Sequence, residues 1–94
     1  MPARCQKYLD ELRLMVKSVY KGKPSEKPLA VTLNFYKNVK PTAKNYGDVD
    51  NLSKAVLDAL NGILWQDDSQ IIELHGYKHK GAGKIEIEVL ENVD

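Results

Sequence analysis

The chain contains one cysteine, Cys5, so no disulfide can form within it, and one cysteine with two histidines is a poor set for structural zinc. It has no apolar run near the roughly 18 residues that a membrane span requires. The opening stretch MPARCQKYLDELRLM is interrupted by Arg4, Lys7, Asp10, Glu11 and Arg13, so it lacks the unbroken apolar core of a secretory signal. The expected location is therefore the cytoplasm. A net charge of +1 marks no overall excess of either sign, and no internal repeat, linker or low-complexity segment divides the chain.

What remains is a globular composition, 94 residues with 43% hydrophobic and 29% charged, enough for one self-supporting core. The small net charge hides an asymmetry. Residues 1–50 hold 10 Lys/Arg against 5 Asp/Glu, whereas residues 51–94 hold 4 against 8. A basic half is compatible with a phosphate backbone as partner and equally with a solvated surface.

Tyr8, Leu9, Leu12, Met15, Val16 and Val19 recur at three- and four-residue steps, which marks one face of a helix expected to start soon after Pro2. The loop KGKPSEKP follows, and its two prolines and glycine stop that helix. In LAVTLNFY, Leu29, Val31, Leu33 and Phe35 alternate with Ala30, Thr32, Asn34 and Tyr36, the period-two pattern of a half-buried strand. A polar loop, KNVKPTAKNYG, carries Lys40 and Lys44, which suit either phosphate contacts or solubility. Leu52, Ala55, Val56, Ala59 and Leu60 mark a second helical face, closed by Gly62. SQIIELHGYKH and KIEIEVLE read as two strands joined by KGAG, where Gly81 and Gly83 favour a hairpin turn. The expected fold is α+β, in the order α-β-α-β-β, with two helices on one face of a three-stranded sheet.

The second helix is bracketed by two acid pairs in GDVDNLSKAVLDALNGILWQDDSQ. Asp50, ahead of Asn51 and the apolar helical pattern, is the expected N-cap. That role leaves Asp48, Asp67 and Asp68 without a structural task. Asp48 and Asp50 would leave an extended segment on the same side, close enough to share a hard cation. If the strand starting near Gln70 lies beside the one ending near Tyr36, Asp68 joins them. Clustered carboxylates raise one another's pKa values unless a divalent cation neutralises them. An EF-hand is excluded, since counting from Asp48 places Leu52 fifth, Ser53 sixth and Ala59 twelfth. An oxygen-only set fits magnesium or manganese.

Lys54 falls one turn after Asp50, and Asp58 one turn after Lys54, with Asn51 nearby. They form either a solvated ion-pair row or a site in which the ammonium meets a phosphate. Trp65, beside Ile63 and Leu64, is expected in the core. His75 and His79 share one strand face and are expected to be solvated. Lys78, Lys80 and Lys84 are candidates for phosphate contacts.

On this run of residues, DVDNLSKAVLDALNGILWQDDSQI, the chain resembles the RusA family of Holliday junction resolvases. The matching positions are Asp48, Asp50, Asn51, Leu52, Lys54, Asp58, Ala59, Leu60, Trp65, Asp67, Asp68 and Gln70. The resemblance extends more weakly over residues 5–91. It implies a small homodimeric, magnesium-dependent endonuclease, often prophage-encoded, with manganese as substitute, that binds four-way DNA junctions and nicks two strands symmetrically to leave 5′-phosphates. It puts the essential carboxylates on Asp48, Asp50 and Asp68 and the important lysine on Lys54, with Asp67, Asn51 and Asp58 in support. Lys40, Lys44, Lys54, Lys78, Lys80 and Lys84 would then meet DNA. The expectation is one endonuclease domain over residues 1–94, without the short strand and polar loop that usually precede the family's first helix. Set against it are a non-catalytic DNA-binding module on the same scaffold and a small module whose aspartates only cap and solubilise.

Overall fold

The period-two run becomes the centre of the sheet. The computed structural model describes residues 3–91, with side chains from residue 9 onward, so the side chain of Tyr8 lies outside the described residues. Strand β1 spans Leu29–Lys37 and buries Leu29, Val31, Leu33 and Phe35 on one face. The first helix, α1, spans Ala3–Val19, and the second, α2, spans Val49–Leu60. A single 3-10 turn at Asp68–Gln70 leads into β2, Ile71–Lys80, and the last strand is β3, Lys84–Glu91. The α+β order is as expected.

The strand arrangement differs from the expected hairpin. The sheet order is β2-β1-β3, with β2 parallel to β1 and β3 antiparallel to it. The connection at Gly81–Gly83 therefore crosses the end of β1, a span of about 10 Å set by two strand spacings. It is held there by the Gly81 N–H, which donates to the Lys37 carbonyl at 2.8 Å. A Cβ at Gly81 would stand 3.3 Å from the Tyr36 ring, so the bare glycine lets the chain pass close over β1. The reason for the rearrangement lies in β1, whose two backbone edges are both free to pair and whose apolar face is the most buried of the three.

Parallel pairing of β1 and β2 requires a crossover, and α2 provides it. The helix lies over β2, with Val49 and Ser53 against Gly76. Val56, Leu57 and Leu60 enter the common core with Tyr46, Ile63 and Trp65. Trp65 is fully buried, and its indole N–H donates to the Asn61 side-chain oxygen at 2.7 Å, which places it in the core as expected.

The first helix departs from its periodicity. Leu12 and Val16 pack against the core, but Met15 and Val19 are exposed, as are Leu14 and Tyr20. The helix rests chiefly on α2, where the Arg13 guanidinium donates to the Ala59 carbonyl. A narrow stripe is all that α2 can cover, so the outer apolar positions stay outside. No helix among the described residues is long and apolar enough to cross a membrane.

Candidate active site

The segment between β1 and α2 is built around Tyr46, an aromatic that looked like part of a polar loop. Its ring is fully buried. Its hydroxyl shares one proton between the carbonyls of Phe35 and His79, at 2.7 and 2.6 Å, and accepts the His79 N–H at 3.1 Å. One side chain thereby ties the loop to the ends of both parallel strands. Two lysines reinforce it: Lys37 donates to the Tyr46 carbonyl at 2.7 Å and Lys78 to the Gly47 carbonyl at 2.9 Å. Both ammonium groups lie 5.2 Å from the Tyr46 ring centre. Lys78, expected to meet DNA, is thus engaged in holding the loop.

Gly47 has φ of +99°, a conformation that side chains rarely adopt, and it turns the chain into α2. The helix then starts at Val49, so the N-cap is Asp48 and not Asp50 as expected. Asp48 makes no side-chain capping hydrogen bond. Asp50, in the first turn, accepts the Asn51 N–H at 3.0 Å. Both carboxylates are exposed, at one end of α2. Asn51, Lys54 and Asp58 are also exposed along the helix, and Lys54 makes no ion pair with Asp50 or Asp58 among the described residues.

Asp50 and Lys54 line a cleft of about 280 Å³ between α2 and β2, whose floor is formed by Leu57, Leu74 and Gly76. Gly76 is required there. A Cβ on it would come within 2.9 Å of both the Ser53 hydroxyl and a Val49 methyl, closer than real contacts allow. The glycine lets the helix bed directly on the strand, which brings the Asp50–Lys54 face next to the sheet edge.

The second acid pair is locked differently. The Asp67 carboxylate accepts the Ser69 N–H at 3.1 Å, and Gln70 completes a capping box by accepting the Asp67 N–H at 2.9 Å. Gln70 also donates to the carbonyls of Ser25 and Lys27, both at 2.9 Å, fastening this turn to the loop before β1. The hydrogen bond from Ser69 holds the Asp67 carboxyl below the usual carboxylate range. Asp68 has no such partner and is half-buried at the head of β2.

Convergence of the three acids in one pocket does not occur within a chain. Ile71 pairs with Leu29, at the start of β1, whereas Tyr36 pairs with His79. Because the two strands are parallel, Asp68 lies at the opposite end of the sheet from the Asp48–Asp50 loop. From Ile71 to Gly76, against which Val49 rests, is about 17 Å at the usual strand rise. Among the described residues no three His, Cys, Asp or Glu side chains are grouped to hold a metal ion. The Asp48–Asp50 pair still has the chemistry of a magnesium site, which needs only one or two carboxylates with waters and phosphate oxygens. Asp68, at the other end of the sheet, does not join it.

The remaining candidates divide by what they touch. Lys40, Lys44 and Lys80 are exposed. Lys84 lies 4.7 Å from the Tyr36 ring centre and 3.5 Å from Glu86. On the face of the sheet away from α2, Tyr36 stacks on His79 at 4.7 Å and donates to Glu86 at 2.8 Å, while His79 bonds Asn34 at 2.7 Å. The Tyr36–Glu86 hydrogen bond raises the Tyr36 pKa and lowers that of Glu86. His75 is exposed, 4.0 Å from Glu73.

The site geometry can be set beside known sequences. The sequence model of the family described as endodeoxyribonuclease RusA matches residues 1–90. This chain belongs to the RusA family. A similar curated sequence is an uncharacterised protein, YqaN, of Bacillus subtilis strain 168, 50% identical over 36 residues, which are 38% of this chain. The match spans about a quarter of that relative's length, 24%. The family name covers the helix-strand core and both acid pairs, since residues 47–70 fall wholly inside the matched range.

Proposed function

We propose that this RusA-family chain is a divalent-cation-dependent endodeoxyribonuclease that cuts four-way DNA junctions as a homodimer. The observation that carries the reading is the exposed Asp48–Asp50 pair at the head of α2, where Asp48 makes no capping bond and Asp50 shares a cleft with Lys54, one turn on. A structural cap needs one acid and would use it; here the cap position leaves its carboxylate uncommitted.

In this reading Asp48 and Asp50 would hold magnesium, or manganese in its place; Asp68 stands at the other end of the sheet within one chain, so in a homodimer it would have to come from the second copy. When bound, such a cation neutralises phosphate charge and lowers the pKa of water. The protein's own residues do the rest. Lys54 places its ammonium against a non-bridging oxygen of the scissile phosphate and offsets the charge that builds there. Asn51 and Asp58, on the same exposed helix surface, position the groups around it. Lys40, Lys44 and Lys80 contact the DNA backbone, a sequence-independent attraction suited to recognition by branched shape. Lys78 acts from beneath, by fixing the loop that presents Asp48.

The test is direct. Purified protein is incubated with a synthetic four-way junction, or with linear duplex of the same sequence, in magnesium. The expected result is paired nicks in the junction, little cutting of the duplex, and no cutting by Asp48→Asn. Equal cutting by wild type and Asp48→Asn would show that the acid pair is not the active site.

A further inference from the structure

We infer that the cleft between α2 and β2 takes one nucleobase, swung out of the DNA stack beside the phosphate that Lys54 meets, with the Ser53 hydroxyl bonding its edge. The inference rests on the reading that this chain acts on four-way junctions, and it adds how a branch is told from a duplex.

The cleft has a charged rim and an apolar interior. Asp50 and Lys54 are exposed at its mouth, Leu57 and Ser53 are buried inside it, and Leu74 walls the side formed by β2. Positions 50, 53, 54 and 57 fall on one face of the helix, so a single stripe of α2 supplies both the rim and the interior. Among the described residues Ser53, 4% exposed, is the only buried polar side chain that is not aromatic. Its hydroxyl makes no hydrogen bond among those residues, and no side-chain oxygen or nitrogen there is both sealed from water and unpartnered. The hydroxyl therefore opens into the cleft. A Cβ on Gly76 would come within 2.9 Å of it, so the missing side chain is what keeps the space before the hydroxyl clear. A polar group so deeply set and left unpaired calls for a partner.

Three features choose the occupant. At about 280 Å³ the space lies at the lower limit of small-molecule pockets, so it holds one ring system and not a base pair. A hydroxyl both donates and accepts, which suits the edge of any base, whereas an aliphatic side chain would cover it and leave it without a partner. The Lys54 ammonium at the rim makes no ion pair among the described residues and is placed for the phosphate to which the base is tethered. A stacked and paired base cannot enter a cleft whose floor is a strand. Swinging one out costs least where stacking is already broken, as at a branch point. The cleft thereby favours a junction over duplex without reading sequence.

The test uses four-way junctions carrying 2-aminopurine, a base whose fluorescence rises when it leaves the stack, at one position at a time around the branch, in calcium in place of magnesium. Wild-type protein should raise the signal several-fold at one position. Leu74→Trp, which fills the cleft from the exposed strand edge, should bind the junction but give no rise; Leu74→Phe takes its place if the far-ultraviolet circular dichroism of the tryptophan variant departs from wild type. Ser53→Ala should keep the rise at saturation and bind the junction about fivefold more weakly, the scale of one hydrogen bond. An abasic site at the responding position should weaken wild-type binding at least as much, and Ser53→Ala should then bind that junction as wild type does, which a merely structural role for Ser53 does not produce. No rise at any position, or an equal rise with the cleft filled, overturns the inference. Junction cutting in magnesium without the rise removes the cleft and leaves the nuclease reading standing; the rise without cutting does the reverse.

Discussion

At the Asp48–Asp50 end of the sheet the backbone is secured from beneath, by the Tyr46 hydroxyl and by Lys37 and Lys78, and the two carboxylates remain exposed. At the Asp67–Asp68 end an acid does the securing, since Asp67 accepts the Ser69 N–H and shares a capping box with Gln70. Both segments begin an element that packs on the sheet. They differ in what holds the backbone. Where Tyr46, Lys37 and Lys78 fix the loop, Asp48 makes no capping bond and Asp50 accepts the Asn51 N–H. Where the turn is short and exposed, one aspartate is consumed and its neighbour alone is free.

The strongest way to sharpen this contrast is Lys54→Ala, which leaves both backbone arrangements intact. Junction cutting should fall about a hundredfold, the scale of removing one preorganised charge or donor at a reacting centre. Binding to the junction should change much less, measured by gel shift at fixed salt.

Tyr46→Phe attacks the support at one end only. It strands the Phe35 and His79 backbone groups in a buried position, with an expected loss of about 2 kcal/mol by urea unfolding. Cutting should fall as well, because the Asp48 loop loses its anchor. Gly76→Ala acts at the same end by overpacking, at about 1–2 kcal/mol, since the Val49 methyl cannot rotate away as the Ser53 hydroxyl can. Asp67→Ala tests the other end and should have the smallest effect. The folded-state carboxyl of Asp67 is held below its ordinary pKa, so its contribution to stability is present above about pH 4 and is lost as pH falls through the lowered value. Wild type should therefore exceed Asp67→Ala in stability at pH 7, and the two should converge in acid.

Periodicity makes β1 and α2 legible, because each alternates or repeats against a single apolar neighbour. The same logic overreads α1: Met15 and Val19 keep the helical spacing, but α2 is too narrow to cover them. Strand order is not in the local pattern at all. The short connection Gly81–Gly83 suits a hairpin, and only the vacancy on both edges of β1 decides that β2 and β3 flank it. The candidate site residues show the same division. Asp48, Asp50, Lys54 and Asp68 stand out by type and spacing, whereas Tyr46 was hidden by its polar surroundings. One signal was available there: a lone aromatic in a lysine-rich loop just before a glycine. The N-cap is Asp48 because Gly47, at positive φ, starts the helix two residues sooner than the apolar pattern suggests. The separation of Asp68 from the other acids follows from parallel pairing, which no spacing along the chain discloses.

The central claim is that neighbouring aspartates divide, Asp68 serving the reaction and Asp67 the fold. The most direct measurement is magnesium-dependent cutting of a four-way junction by Asp67→Asn and Asp68→Asn side by side, each checked for unchanged circular dichroism. Asp67→Asn, which keeps an oxygen to cap Ser69, should cut within a few-fold of wild type, and Asp68→Asn should not cut detectably. Equal loss in both variants, or loss in Asp67→Asn alone, would contradict the division.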